Sequence, residues 1–302
     1  MFRRHLLRGL GLTALAAAGC SSPKEAARGA LAKGGWRDVQ FEPSPDQPDG
    51  QRALVLTGAE PPPPIVVALH GRGEAGRGLA AGARGWRDDY ALDAMIARFA
   101  AGAITRDDVF GWLDAARVET INRSLSARAF RGLAIVTPYC PVPSGSGESA
   151  YEPFGRFVTS DLLERARREL GVESSARAST GIDGVSMGGR YALEIGFGFS
   201  EVFGAVGALQ PAIRESEAER FADLAVAAAK KSGPQSIRLV TSGEDPFLEP
   251  TRALARELTS RSIACQLLVT GGPHDYAWNK GPGAAELLVF HERVLRGLPL
   301  AE

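Results

Sequence analysis

The chain has 302 residues, enough for one large α/β domain or two small ones, and its 44% apolar and 23% charged residues are the balance of a globular protein. Lys+Arg and Asp+Glu both number 35, so no net positive field is available to hold a nucleic-acid backbone, and no nucleic-acid partner is expected. Three cysteines, Cys20, Cys140 and Cys265, are too few and too dispersed for a disulfide scaffold or a cysteine-rich zinc site.

Arg3, Arg4 and Arg8 precede an apolar run from Gly9 to Gly19. That run is shorter than the ~20 residues needed to span a bilayer, and with its basic start it has the form of an export signal. Ala17-Ala18-Gly19-Cys20 resembles the lipobox of bacterial lipoproteins, and Arg3-Arg4-His5-Leu6-Leu7-Arg8 resembles a twin-arginine signal, whose cargo crosses the membrane already folded. These resemblances imply cleavage before Cys20, lipidation of Cys20 and an exported cell-envelope protein held by a lipid anchor. A secreted, soluble protein is the alternative. The expected organisation is a signal peptide over 1–19, a polar tether over 20–34 and one domain over 35–302.

Along that domain, Trp36 to Phe41 and Ala53 to Thr57 are β-like runs separated by Pro43, Pro45, Asp46, Pro48 and Gly50, the pattern of a hairpin. Ile65–Leu69, Leu133–Thr137, Ile237–Thr241 and Cys265–Val269 are nearly continuous apolar runs, as in strands of a parallel sheet buried on both faces. Helical patterns fall between them, over Val158–Leu170, Met187–Gly198, Thr251–Ser260 and Pro282–Arg296. In the last of these, Leu287, Phe290, Val294 and Leu295 share one face. The alternation predicts one α/β domain, a mostly parallel sheet flanked by helices. Residues 72–131 are a helical insertion after the first buried parallel strand, in the place of either a cap over the carboxyl edge or a layer packed beside the core.

Gly184-Val185-Ser186-Met187-Gly188-Gly189 follows a predicted strand, Thr180 to Val185, and opens a helix. A serine at the apex of such a turn is strained and exposed, and glycine is needed two residues to either side because a side chain there would clash. A serine needs a base to become a nucleophile, and the base needs an orienting acid. His274 lies in a loop directly after the Cys265–Val269 strand and suits the base. The loop after Ile237–Thr241 offers Glu244 and Asp245 for the acid, with Asp245 preferred for its place between Gly243 and Pro246. His291, beside Glu292 and Arg293, is placed on a solvated or partly packed helix face with no role. His70-Gly71-Arg72-Gly73 ends the first buried strand, where this arrangement draws one oxyanion N–H; Gly71 or Arg72 would give it and Met187 the other, with His70 shaping the loop. No third ligand stands in a recognisable spacing to make a metal site of His70 and His274, and no cofactor is expected.

Ser186 in its turn, Asp245, His274 and the His70-Gly71 loop, in this order, resemble the α/β-hydrolase superfamily. More narrowly, Gly272-Pro273-His274-Asp275-Tyr276-Ala277-Trp278 is similar to the histidine loop of the branch that includes esterase D-like, feruloyl and polyhydroxybutyrate-depolymerase-like enzymes. The resemblance implies a serine hydrolase acting on small-molecule or polymer-linked carboxylic esters through an acyl-enzyme. Two rival readings are a peptidase of prolyl-oligopeptidase type, whose elbow also runs into Gly-Gly, and a catalytically silent binding protein on the same scaffold.

Overall fold

The computed structural model describes residues 34–145, 148–173 and 176–300. Cys20 and the expected signal peptide and most of the expected tether lie outside the described residues. Eight strands form one sheet: β1 (Trp36–Phe41), β2 (Gln51–Leu56), β3 (Ile65–Leu69), β4 (Ala134–Pro138), β5 (Thr180–Gly184), β6 (Ala205–Leu209), β7 (Ser236–Ser242) and β8 (Cys265–Thr270). Their spatial order is β1-β2-β4-β3-β5-β6-β7-β8. The β1–β2 hairpin is antiparallel and joins β4 antiparallel through β2; every other pairing is parallel. The order reverses between β3 and β5, which lie side by side with Leu69 opposite Gly184. In open α/β sheets that reversal leaves a crevice at the carboxyl edge.

Strand side chains alternate between two layers because successive β-carbons point to opposite faces. Ile65, Val67 and Leu69 face one core, shared with α3 (Leu163–Leu170) and the turns before it, α4 (Met187–Gly198), α5 (Ala218–Ser232) and α6 (Leu248–Ser260). Val66 and Ala68 face the other, shared with α1 (Leu92–Ala101), α2 (Ala115–Ala127) and α7 (Ala284–Leu295). The 72–131 segment therefore helps cover that second face, through Trp86, Tyr90, Leu92, Met95, Phe99, Ile121 and Leu125. Its Trp112 reaches the carboxyl edge, where the Trp112 carbonyl accepts from Gly271 N at 2.9 Å. Among the described residues no helix is long and apolar enough to cross a membrane.

Several expectations need correction. Strand β6 and helix α5 have no counterpart in the sequence reading. β6 is Ala-Val-Gly-Ala-Leu, in which two alanines and a glycine weaken the strand signal. A β-carbon on its Gly207 would lie 2.0 Å from Asp183 Oδ2. β8 is an edge strand rather than one buried on both faces, and its Val269 is 44% exposed. Pro282 lies in a π-helical turn, Asn279–Gly283, ahead of α7 rather than in the first turn of the α-helix. The cysteines need no correction: Cys140 and Cys265 are both free, with β3, β5, β6 and β7 lying between the strands that carry or precede them.

The largest correction concerns His291. It is fully buried, not solvated, and its Nε2 stands 2.9 Å from Asp183 Oδ2 of β5, while Asp183 Oδ1 accepts from Gly184 N at 2.7 Å. Its neighbours are buried with partners too: Glu292 pairs with Arg293, and Glu286 is bonded to Arg117 (2.6 Å) and Arg238 (3.0 Å). Removing one member of such a pair leaves the other desolvated and unsatisfied, at a cost of about 3–5 kcal/mol. His291→Ala is accordingly expected to lower the urea midpoint by an amount corresponding to that loss, with an unchanged slope. A shift worth less than about 1 kcal/mol would contradict the pairing.

Candidate active site

Ser186 joins β5 to α4 with φ 57° and ψ −116°, a strained conformation for a residue with a β-carbon. The turn is stitched to the sheet from both sides: Val185 N donates to Leu69 O of β3 (3.1 Å) and Ser186 N to Leu209 O of β6 (2.9 Å). Both flanking glycines are required by space. A β-carbon on Gly184 would meet the Gly188 carbonyl at 2.4 Å, and one on Gly188 would meet Leu69 O at 2.3 Å. The hydroxyl stands at the amino terminus of a 12-residue helix, whose dipole favours negative charge there.

His274 and Asp245 come to this serine from loops after β8 and β7. His274 Nε2 is 3.0 Å from Ser186 Oγ, and His274 Nδ1 is 3.0 Å from Asp245 Oδ1. The Asp245 side chain is fully buried while that of His274 is 26% exposed. Oδ1 of Asp245 also accepts from Phe247 N (3.0 Å), and Oδ2 accepts from the Thr241 hydroxyl (2.6 Å). Three donors thus satisfy a carboxylate that burial would otherwise penalise. The Phe247 ring packs edge-on against the imidazole, centroids 5.4 Å apart. Glu244, the other acid in the loop, is exposed. With the carboxylate on Nδ1–H, Nε2 is free to accept the serine proton.

The loop after β3 differs from expectation in one atom. Gly71 N donates to the Tyr90 hydroxyl at 3.1 Å, and that hydroxyl donates to Glu74 Oε2 at 2.6 Å. The Gly71 amide is therefore already engaged, and Arg72 is left as the residue of this loop whose N–H can serve the crevice. Arg72 and Met187 each begin a helical turn, the position at which an amide has no intrahelical acceptor. Glu74 is buried, and burial together with this carboxylate pushes the Tyr90 phenol well above its ordinary value. Tyr276 leans across from the histidine loop, its ring 5.9 Å from that of Tyr90 and its phenol pushed up to about 12 by burial and by the nearby Glu74 carboxylate. Neither Glu74 nor Tyr90 carried a sequence signal, since their role depends on a contact between residues 16 apart.

His70 is fully buried beneath the loop. Its Nδ1 faces Gly71 O (2.8 Å) and can only donate there, while Nε2 accepts from Cys140 N (2.8 Å). Both ring nitrogens are used by one neutral tautomer, and burial lowers its pKa. Among the described residues no cluster of His, Cys, Asp or Glu is placed to hold a metal ion.

Residues 133–280 match the model of a protein family described as Putative esterase. The whole domain resembles an S-formylglutathione hydrolase (FrmB) from Staphylococcus aureus at 12% identity and a TM-score of 0.61, covering 86% of this chain and 99% of that one. A ferulic acid esterase is similar at 16% identity and 0.59, over 86% and 99% of the two chains. The enterobactin esterase FES from Shigella flexneri is similar at 17% identity and 0.56, over 84% of this chain and 58% of that one. The fold is that of the α/β-hydrolases. No curated protein matches the sequence. The family match spans β4 through the His274 loop and so includes Ser186, Asp245 and His274. The Gly71–Arg72 loop lies upstream of it.

Proposed function

We propose that this protein is a serine hydrolase that cleaves carboxylic esters. The observation that carries the reading is the unbroken line Asp245–His274–Ser186, with 3.0 Å at each link, ending on a serine held at positive φ. In the forward step Ser186 Oγ bonds to the ester carbonyl carbon as His274 Nε2 takes its proton. The carbonyl oxygen becomes an oxyanion and accepts from the Arg72 and Met187 amides, donors each worth roughly 3–4 kcal/mol in the transition state. Collapse breaks the bond to the alcohol, which leaves with the proton from His274. Water, deprotonated by the same imidazole, then attacks the acyl-enzyme and releases the acid. The matching esterase family and the esterases sharing the fold support ester substrates over amides. The test is turnover of short nitrophenyl esters beside aminoacyl nitroanilides: esters should be cleaved at rates well above the anilides. Preferential release of nitroaniline would instead make it a peptidase.

We also propose that Cys20 anchors the enzyme in the cell envelope. Each buried CH₂ of an acyl chain contributes about 0.8 kcal/mol, so two or more chains hold a protein at a membrane durably. Wild-type protein should fractionate with membranes and Cys20→Ala should not. Soluble wild type lacking an acylated N-terminal peptide would end this reading and leave the hydrolase reading untouched.

A further inference from the structure

Gln210 follows β6 directly and has a φ of 44°, left-handed backbone that a residue with a β-carbon keeps only when its surroundings hold it there. Its side chain is fully buried. Its amide nitrogen donates to Ser242 Oγ at 2.8 Å and to the Pro273 carbonyl at 3.2 Å. A carbonyl can only accept, so the contact with Pro273 fixes which end of the amide is nitrogen. Ser242 is the residue whose carbonyl accepts from Asp245 N (3.2 Å), and Pro273 directly precedes His274. On the main chain, Gln210 N donates to Val240 O of β7 (2.6 Å). On either side of it, Leu209 O accepts from Ser186 N and Ala212 N donates to Ser186 O, both at 2.9 Å.

The sheet order explains why such a tie is needed. β7 and β8 are the second and third strands from β5, and neighbouring strands lie about 4.8 Å apart. The acid and histidine loops must therefore lean back across the end of β6 to reach Ser186, and the residue at that end is Gln210. We propose that Gln210 is a positioning residue: its buried amide ties the Asp245 loop and the His274 loop to the strand end that also holds the Ser186 turn. The proposal rests on the serine-hydrolase reading above. Its effect is on distance, because catalysis by aligned groups is sensitive to displacements of about 1 Å, which can cost ~100-fold.

Gln210→Met keeps the length and apolar stem but cannot donate, and it is compared with wild type after titrating active sites with a fluorophosphonate. We expect kcat per titrated site to fall about 10- to 100-fold, with KM within about twofold. The downfield proton resonance of His274 Nδ1–H should broaden or move. That resonance is assigned by its loss in His274→Ala, because His291 and His70 also have hydrogen-bonded ring nitrogens. A residue that merely supports the fold would lower the melting temperature and the titratable fraction while leaving kcat per site and the resonance unchanged, and that result overturns the proposal. Should Gln210→Met fail to fold, Ser242→Ala removes one of the two contacts and is read in the same way. An unchanged kcat per site and resonance in that variant also overturns it. Wild type that neither cleaves esters nor reacts at Ser186 would sink the hydrolase reading instead. The resonance reports the hold on His274 without turnover, so the two failures are distinct.

Discussion

Ser186→Ala is expected to lower kcat for a nitrophenyl ester by about 10⁶-fold and to abolish labelling by a fluorophosphonate probe. His274→Ala should cost about as much, and the double substitution should be no worse than either alone, because nucleophile and base act as one unit. The geometry makes this inference direct: Ser186 Oγ has the imidazole at 3.0 Å as its acceptor, and the other two buried or partly buried histidines of the domain are turned away from it. His70 spends its nitrogens on Gly71 O and Cys140 N, and His291 is bonded to Asp183. Labelling that persists in Ser186→Ala would show that another nucleophile is present. Active-site titration and mass mapping of the labelled peptide provide the measurement.

Asp245 should divide its contribution between orientation and charge. Asp245→Ala is expected to cost about 10⁴-fold in kcat, as loss of the acid does in comparable constellations. Asp245→Asn should cost distinctly less here. The Phe247 amide can only donate, so the asparagine oxygen must stay at the Oδ1 position, where it still accepts from His274 Nδ1–H. The new NH₂ then faces Thr241 Oγ1, which can turn its own proton away and accept. The imidazole keeps its tautomer and loses only the carboxylate's charge. Glu244→Gln, on an exposed side chain, should leave kcat nearly unchanged. Steady-state kinetics of the three variants decides this, and equal losses in Asp245→Asn and Asp245→Ala would mean that charge, not orientation, is the whole contribution.

The elbow around Ser186 was legible because its pattern lies within a few consecutive residues: two glycines that leave room for the close approach and a serine between them, with a strand before and a helix after; the Leu69 and Leu209 carbonyls that hold it are tertiary. Asp245 and His274 were legible because each sits in a loop directly after an apolar strand, and a parallel sheet brings such loops to one edge. Strand β6 carries a weak signal because two alanines and a glycine interrupt its Val206 and Leu209, and the glycine is fixed by a neighbour that needs it small, Asp183 against Gly207. Gln210 lies just beyond that strand.

Chain order, the alternation of strand and helix, the serine turn and the loops that carry Asp245 and His274 follow from short stretches of sequence. That the Gly71 amide is already engaged follows only from the tertiary contact, because the hydroxyl that takes Gly71 N–H comes from Tyr90, in a bend 19 residues further along the chain. The same holds for His291, Glu292 and Arg293. A helical pattern of polar residues looks alike whether water or a buried partner satisfies them, and the partner that replaces water at His291 Nε2 is Asp183, 108 residues away.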